Sequence, residues 1–154
     1  MRLRVIGGTV ATMLLAATLV AKDYISGSWT LNVAQSKYGT GTPPRSQTTK
    51  LESVEGGLHE VVDRVNADGT TTHWDLTVKY DGKEYPVVGD PSRDKVVVKK
   101  IDDRTLDVTN KKGGVVTTRM RIVVSSDGKT RTNTVTGTDA SGKAFTSVML
   151  FDRK

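Results

Sequence analysis

The chain has 154 residues, no Cys, and 23 Lys and Arg residues against 17 Asp and Glu residues, which gives a formal net charge of +6. This length indicates one domain, large enough to bury a core without disulfides or structural metals. The absence of Cys excludes disulfides, thiol nucleophiles, iron–sulfur clusters and Cys-based zinc sites, and two His residues leave little room for His-rich metal or acid–base chemistry.

The first 21 residues have the pattern of a secretory signal peptide. Arg2 and Arg4 form a short positive region, residues 5–21 carry no charge, and Lys22 ends the run. A membrane-spanning helix needs about 20 predominantly apolar residues, and the Gly and Thr residues of this segment weaken that alternative. We therefore expect cleavage after Ala21, which yields a domain of residues 22–154 that is secreted or periplasmic and has no stable membrane insertion.

Residues 22–154 are predicted to form short strands joined by tight turns. Thr and Val are abundant there, and both are β-branched residues that favour strands. Turn signals built on Gly, Asn and Asp recur at short intervals, at residues 55–57, 66–69, 81–82, 89–91, 102–103, 111–114, 127–128 and 140–142. Such spacing predicts antiparallel hairpins, so we expect an all-β fold, an up-and-down meander barrel of about eight to ten strands.

The first predicted strand opens with Gly27-Ser28-Trp29. A G-x-W at the start of an antiparallel meander resembles the lipocalin-like, or calycin, barrels, and residues 80–87 resemble a segment of small secreted bacterial proteins of that type. The resemblance implies a structural role for Gly27 and Trp29, with Trp29 packed at the closed end of the barrel against an Arg from a late strand. Arg131 and Arg153 both match that Arg.

The connection after the first strand bears on which branch of these barrels the chain resembles. Ten strands would match the fatty-acid-binding branch. Residues 34–46, however, are too short and too rich in Gly and Pro for the helical pair that caps that branch.

The two His residues lie on two neighbouring predicted strands. Residues 59–63 have the spacing of a zinc-protease helix with Asp in place of the second His, but the flanking Gly and Val residues indicate a strand. On a strand, His59 and Asp63 would lie ~13 Å apart, which is too far for one metal ion. Pairing the Val61 face with Trp74 would place His59 and His73 on opposite faces of the sheet. We therefore predict no metal site.

Alternation indicates which side chains of the later strands point inward. Trp74, Leu76 and Tyr80 share one face of a strand, and Met120 lies on the apolar face of another. Pro86 predicts an edge strand or a break in the ladder, because proline has no backbone N–H to donate.

Neither face of the strand predicted at residues 129–136 is apolar. Thr residues alternate there with Arg131, Asn133 and Val135. If the sheet closes, this strand places polar groups in the interior, which suits a lined cavity better than a dry core.

No motif in the chain nominates an enzyme or a cofactor. Residues 137–143 have the spacing of a phosphate-binding loop, but Ala144 stands where a metal-binding Ser or Thr belongs, and a strand is predicted next instead of a helix. We interpret this segment as a hairpin turn. The sequence contains no nucleophile elbow, and its adjacent carboxylates, Asp102 and Asp103, lie in a predicted turn.

The positive charge does not have the pattern of a nucleic-acid-binding surface. Lys and Arg residues are spread over strands and turns, with acidic residues among them, and aromatic residues make up 5% of the chain. Nucleic-acid binding favours a concentrated basic stripe, often with stacking aromatic side chains. We therefore predict no nucleic-acid partner.

The leading hypothesis is an exported, non-catalytic β-barrel that binds a small hydrophobic or amphipathic molecule in its interior. The predicted ligand-binding residues are Trp74, Leu76, Tyr80, Tyr85 and Met120, with Arg131 or Asn133 for a polar head group. The alternative is a structural or interaction protein of the cell envelope that acts through its basic surface and has no ligand cavity. An interior filled by side chains would contradict the leading hypothesis, and convergence of Asp, Glu, His or Tyr in one pocket would favour a third, an enzyme.

Overall fold

The computed structural model describes residues 22–154, and the predicted signal peptide lies outside these described residues. Ten strands make up most of this part of the chain: β1 (Gly27–Lys37), β2 (Ser46–Val54), β3 (Gly57–Val65), β4 (Thr71–Lys79), β5 (Tyr85–Pro86), β6 (Lys95–Lys100), β7 (Thr105–Lys112), β8 (Val115–Val124), β9 (Thr130–Thr138) and β10 (Ala144–Arg153). Within residues 22–154, no helix is long and apolar enough to cross a membrane.

The strands form a single antiparallel meander. The sheet order is β4-β3-β2-β1-β10-β9-β8-β7-β6-β5, so strands adjacent in sequence pair with one another and β1 also pairs with β10. The two edge strands, β4 and β5, lie near each other, but within the described residues no backbone hydrogen-bond ladder joins them. We call the boundary between these two strands the seam. The result is a nearly closed ten-strand barrel, which confirms the predicted all-β, up-and-down fold.

The seam lies where proline interrupts the ladder. β5 is only two residues long, and Pro86 pairs with Lys95 of β6 at the edge of the sheet. Because proline has no N–H, this position cannot donate a ladder hydrogen bond toward β4. The edge position predicted for Pro86 is confirmed.

Inward-pointing apolar side chains fill much of the barrel. Trp29, Leu51, Val62, Leu106 and Phe151 are each no more than 2% exposed. Removing a Leu, Val or Phe side chain of this kind from water contributes about 1.5–3 kcal/mol to folding. Strands from both halves of the meander therefore contribute side chains to the core.

The register of β3 against β4 corrects one sequence-based expectation. Trp74 lies opposite Val62, not beside the Val61 face, and His73 lies opposite Asp63. His59 and His73 therefore share the outer face of the sheet, and the prediction that they lie on opposite faces was wrong. Two adjacent Val residues made the alternation ambiguous, and a shift of one residue exchanges the two faces of a strand.

β9 carries polar residues into the interior, as its sequence predicts. Arg131 and Asn133 are 2% and 5% exposed, whereas the alternating Thr residues of the strand point outward.

The turn that follows β9 is a hairpin turn, as predicted. Asp139 Oδ1 accepts hydrogen bonds from the backbone N–H groups of Ser141 and Lys143, at 2.9 and 3.0 Å. The phosphate-loop-like spacing of residues 137–143 thus belongs to a β9–β10 connection.

Candidate functional site

One end of the barrel is closed by Trp29 and Arg153. The indole of Trp29 is fully buried and donates its N–H to the carbonyl of Ile25 at 3.2 Å. The guanidinium carbon of Arg153 lies 4.2 Å from the centre of the indole ring, and its terminal nitrogens donate to the carbonyls of Tyr24 and Ser26 at 2.6 Å each. Arg153 thus covers the ring and joins the two ends of the described chain.

Gly27 makes room for this arrangement. Its φ of +139° is a backbone conformation that residues with a Cβ rarely adopt, and a Cβ at this position would overlap Nη1 of Arg153. The Gly and the Trp of G-x-W therefore serve one structural unit at the closed end.

Arg131 also stacks on Trp29, but it faces the interior of the barrel. Its guanidinium carbon lies 5.3 Å from the Trp29 ring and 4.2 Å from the ring of Phe151. The two Arg residues that match the sequence resemblance thus both contact Trp29, and Arg153 is the closer. Arg131 lies with one side against the closed end and lines the cavity described below.

The apolar half of the interior is almost completely filled. A residual void of about 20 Å³ is lined mainly by aliphatic side chains, among them Leu51, Leu58, Leu76, Val96 and Leu106. This half is a packed core with no room for a ligand.

The polar half of the interior holds a cavity of about 190 Å³. We call it the interior cavity. Its polar lining consists of Gln47, Thr49, Glu60, Arg64, Asp90, Ser92, Arg93, Asn110, Thr118, Arg131 and Asn133. Its apolar lining consists of Trp74, Met120, Ile122, Val135 and Met149.

A hydrogen-bonded network centred on Arg93 forms one wall of the interior cavity. Arg93 Nε donates to Asp90 Oδ2 at 2.9 Å, and both side chains are less than a tenth exposed. Its terminal nitrogens reach Asn110 Oδ1 at 2.9 Å and Glu60 Oε2 at 3.5 Å. The same Glu60 oxygen accepts the indole N–H of Trp74 at 3.0 Å. Both carboxylates of the cavity are therefore held by fixed partners.

Trp74 is flanked by two guanidinium groups. Arg64 and Arg93 lie 5.0 and 5.2 Å from the centre of its ring. Arg64 Nε also donates to Gln47 at 2.8 Å, and burial lowers the pKa of Arg64, with the charge of Asp90 acting in the opposite direction. The three Arg residues of the lining outnumber Glu60 and Asp90, so the interior cavity has an excess of positive charge.

Two buried polar atoms on β9 lack partners. Nε of Arg131 and Oδ1 of Asn133 are both inaccessible to solvent and make no hydrogen bond. Burial lowers the pKa of Arg131 to about 10, the charge of Glu60 opposes this shift, and the charge of Arg153 adds to it. Arg131 therefore remains protonated at neutral pH, with a charged group and an unused donor inside the barrel.

The structure brings together four of the seven predicted ligand-binding residues. Trp74, Met120, Arg131 and Asn133 line the interior cavity, whereas Leu76 lies in the filled apolar half. Two Tyr residues are absent from the cavity lining, which is drawn from residues 22–154. Tyr80 is half-buried, and burial raises its pKa, with the charge of Asp23 near the closed end adding to this shift. Tyr85 donates its hydroxyl hydrogen to Asp81 at 3.0 Å.

The sequence-based prediction missed the charged residues of β3 and of the β5–β6 connection. Glu60 and Arg64 alternate with Leu58 and Val62, so assigning the Val62 face to the interior would have identified them. Arg93 carries no comparable signal, because its connection has no periodicity.

The remaining polar clusters give no indication of a metal centre. Over residues 22–154, no group of three or more His, Asp or Glu side chains is placed to hold a metal ion. His59 and His73 instead bind carboxylates on the outer face, Asp75 and Asp63, each at 2.7 Å.

The fold is similar to that of a solved ligand-binding barrel. The zebrafish ileal bile acid-binding protein, in a crystal structure with cholic acid, superposes with a TM-score of 0.55 and 14% sequence identity, over 85% of this chain and 99% of that chain. The predicted resemblance to calycin barrels is thereby confirmed at the level of the fold. No protein-family model matches the chain, and no curated protein is similar to it in sequence.

Proposed function

We propose that this chain is an exported, non-catalytic barrel that binds a small amphipathic anion in the interior cavity. The observation that carries the proposal is the unpartnered buried Nε of Arg131, a charged donor in a cavity with excess positive charge, and the amide of Asn133 lines the same cavity. An unpaired buried polar group costs about 1–3 kcal/mol, and more when it is charged. A ligand whose anionic group accepts a hydrogen bond from Arg131 would remove part of that cost.

The rest of the lining defines the other end of the ligand. Trp74, Met120, Ile122, Val135 and Met149 offer apolar surface in the same cavity. A volume of about 190 Å³ is below the range of about 300–1,000 Å³ typical of ligand pockets. The ligand is therefore a small molecule with a short apolar part, and burial of that part contributes about 25 cal/mol per Å².

The state of the two carboxylates favours binding over acid–base catalysis. Glu60 and Asp90 converge on one pocket, but each is held in fixed hydrogen bonds, to Trp74 and Arg93 respectively. The likeness to a barrel solved with cholic acid supports ligand binding in the interior, and the signal-peptide pattern of residues 1–21 supports export.

Binding of hexanoate and hexanol, which have equal chain lengths, tests the proposal. We expect hexanoate to quench or enhance the fluorescence of Trp74 and to bind at least about tenfold more tightly than hexanol, because only the carboxylate pairs with Arg131. Native mass spectrometry of the protein from its own host would identify any small molecule that copurifies.

Asn133→Leu and Thr132→Leu form a matched pair for this experiment. Asn133 points into the interior cavity, and Thr132 lies next to it on the outer face of β9. We expect Asn133→Leu, which removes an amide N–H donor from the cavity, to weaken hexanoate binding and Thr132→Leu to leave it unchanged. Equal affinity for hexanoate and hexanol, or equal hexanoate affinity in the two variants, would contradict the proposal.

A further inference from the structure

A second concavity, of about 390 Å³, lies on the outer face of the barrel and spans β6 to β9. We call it the outer groove. The strand registers place its outward side chains in two parallel rows, Lys99-Asp107-Arg121-Thr134 and Val97-Thr109-Arg119-Thr136. With strands about 4.8 Å apart, each row is about 14 Å long. The outer groove is therefore a regular surface. Of its lining residues, only Val108 and Met120 also pack in the core.

Positive charge dominates the outer groove. Its lining, drawn from residues 22–154, contains three cations and one carboxylate, Asp107. Arg121 binds Asp107 through two hydrogen bonds of 2.8 Å, and this contact lowers the pKa of the Asp107 carboxyl. Asp107 neutralises Arg121, which leaves the charges of Lys99 and Arg119 in excess. The outer groove therefore favours an anionic ligand.

Hydroxyl groups lie directly beside these charges. Thr134 and Thr136 stand opposite Arg121 and Arg119 across the β8–β9 pair, and Thr109 stands opposite Arg119 on the other side. Both Arg residues of the groove are thus next to hydroxyls that donate and accept hydrogen bonds. This combination is complementary to a polymer that bears both acidic groups and hydroxyls.

We propose that the outer groove binds an acidic polysaccharide, through Lys99, Arg119 and Arg121 for the acid groups and through Thr109, Thr134 and Thr136 for the sugar hydroxyls. The outer groove is separate from the interior cavity, so this proposal does not depend on the ligand proposed for the cavity. A row length of about 14 Å extends beyond a single sugar ring, which favours a chain over a monosaccharide.

The lining favours a polysaccharide over single-stranded nucleic acid. Single-stranded nucleic-acid sites combine positive charge with aromatic side chains on which bases stack. The groove lining described for residues 22–154 contains no aromatic side chain, and its apolar members are Val97, Val108 and Met120. Bases would therefore find no stacking surface there.

Binding to polygalacturonate, neutral dextran and an oligothymidylate of similar length tests this proposal. At low ionic strength we expect the full chain to bind polygalacturonate, with neutral dextran at least about tenfold weaker. The affinity for polygalacturonate should fall steeply as salt is added, because exposed charges are screened. Dextran sulfate, a second acidic polysaccharide, should bind like polygalacturonate.

The variants separate the outer groove from the overall charge of the protein. We expect R119Q/R121Q to weaken polygalacturonate binding at least about tenfold, and K129Q/K143Q, which removes the same charge from two turns, to weaken it less than about twofold. Both variants should unfold in urea at about the same denaturant concentration as the unchanged protein, which shows that they fold whether or not the interior cavity binds hexanoate.

Three results would each overturn the proposal. They are absence of polygalacturonate binding at low salt, equal losses in the two double variants, and tighter binding of oligothymidylate than of polygalacturonate.

Discussion

Arg131 is the residue whose position bears most directly on function. It is almost fully buried, it stacks on Phe151 and Trp29, and its Nε has no hydrogen-bond partner. A buried guanidinium loses several kcal/mol of hydration, and stacking on an aromatic ring in a desolvated site returns about 2 kcal/mol or more. The proposed anionic ligand, by accepting a hydrogen bond from Nε, would offset part of the remaining cost of burying Arg131.

Replacing Arg131 with Met separates these two roles. Met fills a similar volume without a charge, so we expect the free energy of unfolding in urea to change by less than about 1 kcal/mol, or to increase. The preference for hexanoate over hexanol should disappear, because the anion loses its partner. A loss of several kcal/mol of stability with the preference retained would instead make Arg131 a structural partner of Trp29.

Two strands show how one element serves two environments. β9 points Arg131 and Asn133 inward and its Thr residues outward, and β3 points Glu60 and Arg64 inward while His59 and Asp63 lie outside. In both strands the inner face carries polar residues where it lines the interior cavity. Polarity alone therefore does not distinguish the inner face of these strands from the solvent face.

The outer face of β2, β3 and β4 has a pH-sensitive contact. His59 Nε2 binds Asp75 at 2.7 Å, and Glu52 lies 3.5 Å from Nδ1. The hydrogen bond to Asp75 raises the pKa of His59 above its ordinary value, with partial burial opposing this shift. The charged imidazole therefore stabilises the folded state fully below the unfolded pKa of about 6.5, and this contribution is lost as the pH rises through the folded pKa.

Urea denaturation of the protein between about pH 5.5 and 8.5 measures this effect. We expect the free energy of unfolding to fall with rising pH by less than about 1 kcal/mol, since the contact is at the surface. Asp75→Asn should flatten the pH dependence while leaving His59 in place. A slope that persists unchanged in Asp75→Asn would assign the effect to other groups.

At the scale of the whole molecule, side chains close the barrel where the backbone ladder stops. Arg93 extends from the β5–β6 connection to Glu60 and Trp74 on one side of the seam and to Asn110 on the other. The connection also approaches β4 closely, since a Cβ at Gly89 would overlap the carbonyl oxygen of His73. These contacts hold β4 against the β6–β7 side of the barrel.

Arg93→Met should therefore open the seam. We expect a loss of about 3–5 kcal/mol, because Asp90 is left buried without its partner, and faster amide hydrogen exchange in β4. Lys95→Met, which removes an exposed ion pair with Glu84, the residue just before β5, is the matched control and should change little.

A second variant keeps this prediction testable. Asp90→Asn/Arg93→Met removes both buried charges and should recover part of the stability, while exchange in β4 stays fast. Slow exchange in β4 of the double variant would show that the seam does not depend on Arg93.

The sequence by itself determined the architecture, because strand propensity, turn residues and alternation are local properties. The short β5 at Pro86, the polar inner face of β9 and the pairing of Trp29 with a late Arg all follow from local pattern or from the G-x-W resemblance. The face of β3 did not, since Val61 and Val62 are adjacent and only the pairing with Trp74 decides between them.

Only the tertiary structure decided how the interior is divided. It placed Leu76 in a filled core and Trp74 beside a cavity, although the two residues share one face of β4. It also brought Arg93, from a connection without periodicity, into contact with Glu60, 33 positions away in the chain. Whether a space stays open depends on the side chains that converge from many strands, and no single segment of the sequence contains that information.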